Sequence, residues 1–300
     1  MDIDKKNGNI AFNEESHLYW NVDNNEKYIS VTTLIHKFAN EYDAEFWSAY
    51  KALEKLLPED SWNIEKKSLL NTKKFNKEIL DVYNISENDF NREQQNMLDA
   101  WAKKNKESCE RGTKIHAELE HSFYKAGKNV NLQRFGIGGK FECKKDYTDL
   151  DLEYGVYPEY LIYRTSDDGV LKIAGQIDLI VKSGNEITIC DWKTNGKIEQ
   201  KSFFNTKTKS SVKMKYPLNN LDDVNFYHYT LQLSTYAWML QKINPNFIIK
   251  DLILVHFDHD GNQTIYHCDY LKDEVERMLY FYKKEVLIEQ QRAKRKRIEY

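Results

Sequence analysis

The sequence predicts an α/β (α+β) fold in which a small mixed sheet is flanked by helices and preceded by a helical elaboration. Two patterns carry this prediction. Residues 42–126 have helical periodicity over most of their length, whereas residues 157–193 alternate as strands do and are rich in aromatic and β-branched residues. A helix, two strands and a final helix follow, and this order is typical of a sheet with helices on its faces.

The N-terminal part begins with short strands and continues as helices. Strands are predicted at 9–12, 17–22 and 28–31, and Thr32 or Thr33 is the expected cap of the next helix. Helical patterns then cover 42–57, 64–82 and 91–126, with a break expected near Gly112. We therefore expect one continuous domain over residues 1–300, with strands and the helical elaboration in 1–105 and the core in 106–300.

The second part carries the predicted core. Strands are predicted at 157–164, 171–182 and 186–193, followed by an amphipathic helix at 224–243. Two further strands, at 248–258 and 263–270, are joined through Asp260 and Gly261. The last helix, at 272–297, has a strongly basic end.

The composition and the cysteine pattern lead us to expect a protein of a reducing, aqueous compartment. No run of about 18 apolar residues occurs, so no membrane partner is expected, and the start MDIDKKNGNI lacks the apolar stretch of a secretory signal. The four cysteines, Cys109, Cys143, Cys190 and Cys268, are far apart and form no CxxC pair. We expect an intracellular, soluble protein, in the cytoplasm of a bacterial host or an equivalent compartment.

The segment GQIDLIVKSGNEITICDWKT predicts a hairpin that brings two acids together. Gly184 and Asn185 both tolerate positive φ, as a two-residue hairpin turn requires. Ser183 then pairs with Glu186, and the same register sets Asp178 directly opposite Asp191, with Cβ atoms about 5 Å apart. Lys193 lies on the same face as Asp191, and Gln176 is expected to face Lys193.

Two facing carboxylates repel each other unless a cation compensates their charge. Oxygen ligands favour Mg²⁺ or Mn²⁺, and a lysine beside such an ion can orient a water molecule or stabilise charge on a phosphate. The same spacing also occurs in an Asp–Lys ion pair on a solvated sheet face. The predicted register favours the metal site because it makes Asp178, Asp191 and Lys193 converge.

Four other residues are candidates for the same site. His116 shares a helix face with Glu120 and could give a nitrogen ligand, although a lone helical histidine is more often an ordinary surface or core residue. Glu159 could add a carboxylate or be an edge-strand surface residue. Gln232 and Tyr236 share a face of the helix at 224–243. Gln232 could bind the lysine, a water molecule or a phosphate, and Tyr236 could contact phosphate, stack on a base or belong to the core.

A lysine-rich segment follows the predicted hairpin. Residues 197–215 contain six lysines and one glutamate, and such a stretch can bind a polyanion or be an ordinary solvated surface. The candidate DNA-binding lysines are Lys197, Lys201, Lys207, Lys209, Lys213 and Lys215. They could form a flap over a bound strand.

The ordered set GTKIHAELE, Glu159, GQIDLI, DWKT and QLSTYAWML resembles the PD-(D/E)XK nuclease superfamily. More narrowly it is similar to the RecB-type branch, which includes bacteriophage exonucleases and the mitochondrial genome maintenance exonuclease. The start AFNEESHLYW and YISVTTLI resembles the same members. The likeness covers residues 10 to 258.

The resemblance implies a restriction-endonuclease-like core and a role for each matched residue. His116, Asp178, Asp191 and the backbone carbonyl of Trp192 would ligate the metal, and Glu159 matches the upstream acidic position less closely. Lys193 would be the catalytic lysine. Gln232 and Tyr236 match the Q-x-x-x-Y motif of the branch and would lie beside the catalytic centre.

Two departures limit the expected cofactors to Mg²⁺ or Mn²⁺. Some members of the RecB-type branch, the CRISPR-associated nucleases, hold an iron–sulfur cluster with three closely spaced cysteines near the C-terminus. The chain lacks these three cysteines, so no iron–sulfur cluster is expected. It also lacks a GxxxxGK[ST] loop, so no ATP is expected and any helicase would be a separate partner, as would a recombinase or a single-strand-binding protein.

We therefore expect a metal-dependent deoxyribonuclease, an exonuclease on single-stranded or end-containing DNA that acts in DNA processing, recombination or repair. Two alternatives stay open. One is a structure-specific endonuclease, and the other is a non-catalytic DNA-binding protein that kept the fold. Because Asp178, Asp191 and Lys193 are all present, the enzyme is favoured over the non-catalytic alternative.

Overall fold

The computed structural model describes residues 3–144, 152–205 and 209–298. The chain forms two compact units, one made of residues up to Asn40 together with Lys114 onwards, the other of Glu41–Thr113. The first forty residues therefore belong to the same unit as the hairpin. None of the described helices has an apolar stretch long enough to cross a membrane.

In the described part of the chain, nine strands form a mixed sheet at the centre of the larger unit. The strand bounds are β1 (Lys5–Asn7), β2 (Ile10–Asn13), β3 (Leu18–Asn21), β4 (Lys27–Ser30), β5 (Val130–Asn131), β6 (Lys140–Phe141), β7 (Gly155–Thr165), β8 (Lys172–Ser183), β9 (Glu186–Lys193), β10 (Phe204–Asn205), β11 (Ser210–Ser211), β12 (Ile248–Phe257) and β13 (Gln263–His267). The pairs β5–β6 and β10–β11 form separate two-stranded ribbons.

The expected mixed sheet flanked by helices is confirmed, but it is larger than the sequence indicates. The strand order is β1-β2-β3-β4-β8-β9-β12-β13, with β7 on the free edge of β8. The N-terminal meander joins the core through a parallel pairing of Ile29 and Ser30 with Ile173 and Ala174. That pairing has only two residue pairs, too few to leave a pattern in the sequence.

The helices are α1 (Val31–His36), α2 (Ala44–Leu56), α3 (Glu59–Thr72), α4 (Glu78–Val82), α5 (Glu87–Ala126), α6 (Asn225–Ile243) and α7 (Lys272–Ile298). Two expectations are wrong. Helix α5 continues through Gly112 without a break. The cap of α1 is Ser30, whose hydroxyl accepts from Thr33 N at 3.0 Å, so the helix starts at Val31 rather than after Thr32 or Thr33.

The smaller unit, Glu41–Thr113, consists of α2, α3, α4 and the first part of α5. Its core is aromatic, with the Tyr50 and Trp62 ring centroids 4.7 Å apart and Phe75 stacked on Phe90 at 4.8 Å. Lys73 ends α3 in the left-handed region, with φ of 54°, so the single helix expected at 64–82 is two helices.

Apolar side chains cover both faces of the central sheet. One cluster packs α1, α6 and α7 against alternate residues of β9 and β12, including Ile187 and Ile189. The opposite cluster packs Leu119 and Phe123 of α5 against the other set, including Trp192. The sheet is thus covered by helices on both faces, as the restriction-endonuclease-like arrangement requires.

Strand β8 lies at the centre of this arrangement. Strand β7 occupies one of its edges along almost the whole length. The other edge is shared, because β4 pairs at Ile173–Ala174 and β9 pairs only from Leu179 to Ser183. Residues 175–178 therefore lie on an edge that neither strand pairs, and Gln176 and Asp178 are among them.

The predicted hairpin register is confirmed for five successive pairs. Ser183 pairs with Glu186, and the ladder runs back to Leu179 opposite Cys190. It ends one step before Asp178 and Asp191. The ladder therefore stops at the position where the sequence places the two acids.

Candidate active site

Three carboxylates lie in one cross-strand row. The register of β7 and β8 pairs Pro158 with Leu179 and Tyr160 with Ile177, which sets Glu159 level with Asp178. The register of β8 and β9 sets Asp191 level with Asp178 on the other side. Regular pairing is interrupted on both sides of Asp178, and Glu159 has φ of 52°, a conformation that non-glycine residues rarely adopt. Such local strain is typical of functional sites.

The Asp178 carboxylate takes the place of the missing ladder bond. Its Oδ2 accepts from the backbone N–H of Trp192 at 2.6 Å. Burial, with the nearby charges of Asp191 and Glu159, raises the pKa of Asp178 to about 7, although His116 and Lys193 oppose the shift. The side chain therefore holds β9 in place while keeping its other oxygen, Oδ1, directed towards the site.

His116 reaches the row from α5. Its Nδ1 lies 3.4 Å from Glu159 Oε1 and 3.6 Å from Asp178 Oδ1, and its Nε2 lies 3.3 Å from the carbonyl oxygen of Trp192. Burial alone would lower the pKa of His116, but Asp178 and Glu159 outweigh it and raise the pKa to about 9. The helix is fixed in this place by Leu119 and Phe123, which pack on the sheet.

Asp191 and Lys193 form the other half of the site. The Lys193 ammonium lies 2.6 Å from Asp191 Oδ2 and 4.7 Å from the centre of the Tyr229 ring. Burial opposes the charged form of Lys193, but Asp191 and Asp178 raise its pKa above the ordinary value. Asp191 is 1% exposed, and among the described residues no donor forms a hydrogen bond with its Oδ1.

Glu159 is held by several donors of the chain itself. Gln176 Nε2 donates to Glu159 Oε2, and Lys5 Nζ donates to the same oxygen at 3.4 Å. The expected pairing of Gln176 with Lys193 is therefore wrong, because β9 leaves the edge of β8 before Gln176 and the amide turns to β7. Sequence reasoning missed Lys5, since a lone lysine 154 residues away gives no signal.

Gln232 and Tyr236 contact each other on α6. Gln232 Nε2 donates to Tyr236 Oη at 3.2 Å. The Tyr236 ring lies against Gly175 of β8, where an added Cβ would come within 2.6 Å of it. The glycine of GQIDLI thus makes room for the tyrosine of QLSTY. Tyr236 is 3% exposed, so its packing gives no support to stacking on a base.

Tyr19 of β3 also faces the acidic row, and sequence reasoning missed it. Burial, together with the charges of Glu159 and Asp178, raises its pKa well above the ordinary value. Its ring stacks on Phe12, with centroids 4.4 Å apart. Because β1 of the same meander carries Lys5, whose Nζ lies 3.4 Å from Glu159 Oε2, the N-terminal meander borders the site.

The lysines of segment 197–215 divide into two groups. Lys213 lies 2.5 Å from Asp222 Oδ1, and Lys197 lies 2.6 Å from Glu199 Oε1. Lys201 and Lys209 are exposed, and no described acidic group forms an ion pair with either. Lys215 is exposed, and its backbone N–H donates to Phe38 O at 2.7 Å. Lys207 lies outside the described residues.

The donor set fits a hard divalent cation. One ligand atom each from His116, Glu159 and Asp178 lie within 4.8 Å of one another, and the Trp192 carbonyl is beside them. Two observations favour a cation over a purely structural cluster. Asp191 Oδ1 is a buried acceptor with no donor among the residues that the structure describes, which costs stability unless something binds it. The three carboxylates of the row also outnumber the two lysine ammonium groups beside them, those of Lys5 and Lys193.

The sequence profile of the PD-(D/E)XK nuclease superfamily matches residues 33–297, so the chain belongs to that superfamily. The match includes both strands of the hairpin and the two helices that carry His116 and Gln232. Among curated proteins, no relative is found.

Two solved structures show a distant likeness to this chain. The protein SSO0001 is 17% identical with a TM-score of 0.30, and the match covers 59% of this chain and 57% of SSO0001. A protein from Eubacterium rectale that carries the provisional name exonuclease is 13% identical with a TM-score of 0.33, over 87% of this chain and 80% of that one. This chain thus spans just over half the length of SSO0001, and neither likeness is close enough to assign an activity.

Replacing Asp178 by Asn should stabilise the metal-free protein at pH 8 by roughly 1–3 kcal/mol. The pKa of Asp178 in the folded state, about 7, is above that of an exposed aspartate. Stability associated with this group is therefore present at about pH 4 and is lost as the pH rises through 7. The amide oxygen can still accept from Trp192 N–H.

Urea unfolding in chelator at pH 8 and pH 4 measures the effect, with the exposed Asp260→Asn as the control. The gain should appear at pH 8 alone. A loss of stability at pH 8 would contradict the view that Asp178 is a buried, repelled charge.

Proposed function

We propose that the protein is a Mg²⁺- or Mn²⁺-dependent deoxyribonuclease of the RecB-type branch, and that it acts as an exonuclease on single-stranded or end-containing DNA. The observation that carries the proposal is the row of Glu159, Asp178 and Asp191, with His116 beside it and, within the described part of the chain, an Asp191 oxygen that no donor satisfies. In a hairpin with only a structural role, such a row would cost stability without any compensating function.

The residues that would hold the ion are His116, Asp178, Asp191 and the backbone carbonyl of Trp192. When bound, a divalent ion supplies Lewis-acid chemistry, since it lowers the pKa of water and neutralises charge on a phosphate. Strand β9 contributes two of the four ligands from adjacent residues, and the Asp178–Trp192 hydrogen bond fixes that strand.

Lys193 is placed to act on the reacting phosphate. Its ammonium is held between Asp191 Oδ2 and the Tyr229 ring, and the pKa of Lys193 stays above its ordinary value. It is therefore charged at neutral pH. A positive charge in this place stabilises the negative charge that develops on the phosphate oxygens and orients the water molecule that attacks phosphorus.

Gln232 and Tyr236 support the site from α6. The Tyr236 hydroxyl accepts from the Gln232 amide, which leaves the amide oxygen of Gln232 available to accept from a water molecule. Because both side chains are buried, we assign them to positioning rather than to stacking on a base.

The flap segment, residues 197–215, favours a single-stranded substrate. Phe203 and Phe204 are 78% and 55% exposed, beside the exposed Lys201 and Lys209. Exposed aromatic rings among lysines suit unpaired bases, because each base can stack while its phosphate meets a charge.

The flap is tied to the start of α6 by Asp222. Its carboxylate accepts from the backbone N–H of Ser202 at 3.1 Å and from the Ser211 hydroxyl at 3.0 Å. The same helix carries Tyr229 and Gln232, so a strand bound on the flap would be close to Lys193.

Replacing Lys193 by Ala should lower kcat on DNA about 10²-fold or more, because one charge that stabilises the transition state is lost. Digestion of end-labelled DNA is measured with Mg²⁺, with Mn²⁺ and with chelator. The exposed Lys250→Ala on β12 is the control and should keep full activity. Cleavage that survives both chelator and Lys193→Ala would refute the mechanism.

A circular single-stranded substrate separates the two kinds of nuclease. An exonuclease should leave the circle intact and degrade the same sequence once it is linear, because it needs an end. Gel analysis of paired circular and linear substrates at equal enzyme concentration measures this. Linearisation of the circle at a comparable rate would establish the endonuclease alternative.

The double variant Lys201→Ala and Lys209→Ala should weaken binding to single-stranded DNA and make log K less dependent on log salt by about 1.4, or about 0.7 for each lost phosphate contact. The matched control is Lys197→Ala with Lys213→Ala, which removes the same charge from lysines paired with Glu199 and Asp222. An unchanged slope in the first variant would remove the flap from the binding site.

A further inference from the structure

Lys5 brings a second ammonium group to the carboxylate row. Its Nζ lies 3.4 Å from Glu159 Oε2 and 3.8 Å from Glu14 Oε1. The residue belongs to the short strand β1, which lies outside the region matched by the superfamily profile. Lys5 is therefore an addition to the site residues that the hairpin, α5 and α6 supply.

The position of Lys5 is fixed by the fold around it. Strand β1 pairs with β2, with Lys5 opposite Phe12. Two residues on, the Asn7 side chain is buried and donates to the backbone oxygen of Leu161 at 2.7 Å. That bond ties β1 to β7 two residues from Glu159, so Lys5 is held beside the carboxylate by more than a surface ion pair.

Glu159 is consequently engaged on both oxygens. Lys5 and Gln176 donate to Oε2, while Oε1 faces His116 Nδ1. A carboxylate held in this way is a poor ligand for a further metal ion, but it can orient a neighbouring histidine. A histidine that ligates a metal is usually oriented by a carboxylate on its other ring nitrogen, and His116 Nε2 lies towards the Trp192 carbonyl.

The charges in the site agree with this assignment. Glu159, Asp178 and Asp191 bring three buried negative charges, and Lys5 and Lys193 bring two positive ones. Glu14, which also lies near Lys5, is 57% exposed, so its charge is screened by water and is not counted. One divalent cation then makes the centre positive by one charge, which matches a single phosphodiester. Nucleases with two divalent ions place them about 3.5–4 Å apart, and a second ion here would raise the excess to three.

We propose that Lys5 is a positioning residue that supplies the second positive charge of the active centre, so that the protein binds one divalent ion and uses Glu159 to orient His116. This inference rests on the proposed function, and it assigns Glu159 to the histidine rather than to the metal.

Titration of Mn²⁺ into the metal-free full-length chain, followed by electron paramagnetic resonance without DNA, tests the proposal. The wild type should bind one Mn²⁺ per chain. Lys5→Ala should bind Mn²⁺ about tenfold more tightly, because a nearby positive charge is gone and Glu159 Oε2 is released. Lys5→Arg should behave as the wild type, and the exposed neighbour Lys6→Ala is the matched control.

Cleavage kinetics at saturating Mn²⁺ give the second readout. Lys5→Ala should lower kcat about tenfold with little change in KM, since His116 is less well oriented, and Lys5→Arg should restore kcat. Melting temperatures check the fold, and Lys5→Met, which keeps the aliphatic chain, replaces Lys5→Ala if the latter unfolds.

Two Mn²⁺ ions per wild-type chain, or a Lys5→Ala variant that matches Lys6→Ala in both binding and kcat, would overturn the proposal. If the wild type does not cut DNA, the proposed function fails, yet the Mn²⁺ titration still decides the role of Lys5. If cleavage is normal and Lys5 has no effect, only the inference about Lys5 fails.

Discussion

The repulsion among three buried carboxylates is the constraint on which the rest of this structure depends. Glu159, Asp178 and Asp191 lie level with one another across three adjacent strands, and burial makes their mutual repulsion larger than it would be in water. A fold that keeps such a row must hold it rigidly and supply cations. Lys193 and Lys5 come from the chain, and a divalent ion would complete the balance.

The surrounding packing explains how the row is held. Strand β8 is central, and its second edge is left unpaired between β4 and β9, which gives Asp178 space to accept from Trp192 N–H. Apolar residues of α5 fix His116 on one side, and Gly175 admits the Tyr236 ring on the other. The apolar contacts are ordinary core packing, and together with the Asp178–Trp192 hydrogen bond they set the positions of the polar groups.

The sequence predicted the hairpin because local physics determines it. A two-residue turn at Gly184 and Asn185 fixes the register, and the register places Asp178 level with Asp191. His116 could be proposed as a site residue from its position on one helix face and from the family resemblance. The long strands and helices were predicted for the same reason, since their periodicity extends over many residues.

Other features could not be predicted because they depend on distant contacts. Lys5 and Tyr19 reach the site through the two-residue pairing of β4 with β8 and through the bond of Asn7 to Leu161, and Gln176 turns to Glu159 because β9 leaves the edge early. The division of the flap lysines depends on Asp222 and Glu199. No short-range sequence pattern predicts which distant residues these side chains contact.

The most direct test of the central claim is to grow crystals of the protein with Mn²⁺ and locate the ion by its anomalous scattering. We predict one strong peak within bonding distance of His116, Asp178, Asp191 and the Trp192 carbonyl oxygen, with the Lys5 ammonium still on the Glu159 carboxylate. A site without a peak at saturating Mn²⁺, or a peak bound away from the carboxylate row, would contradict it.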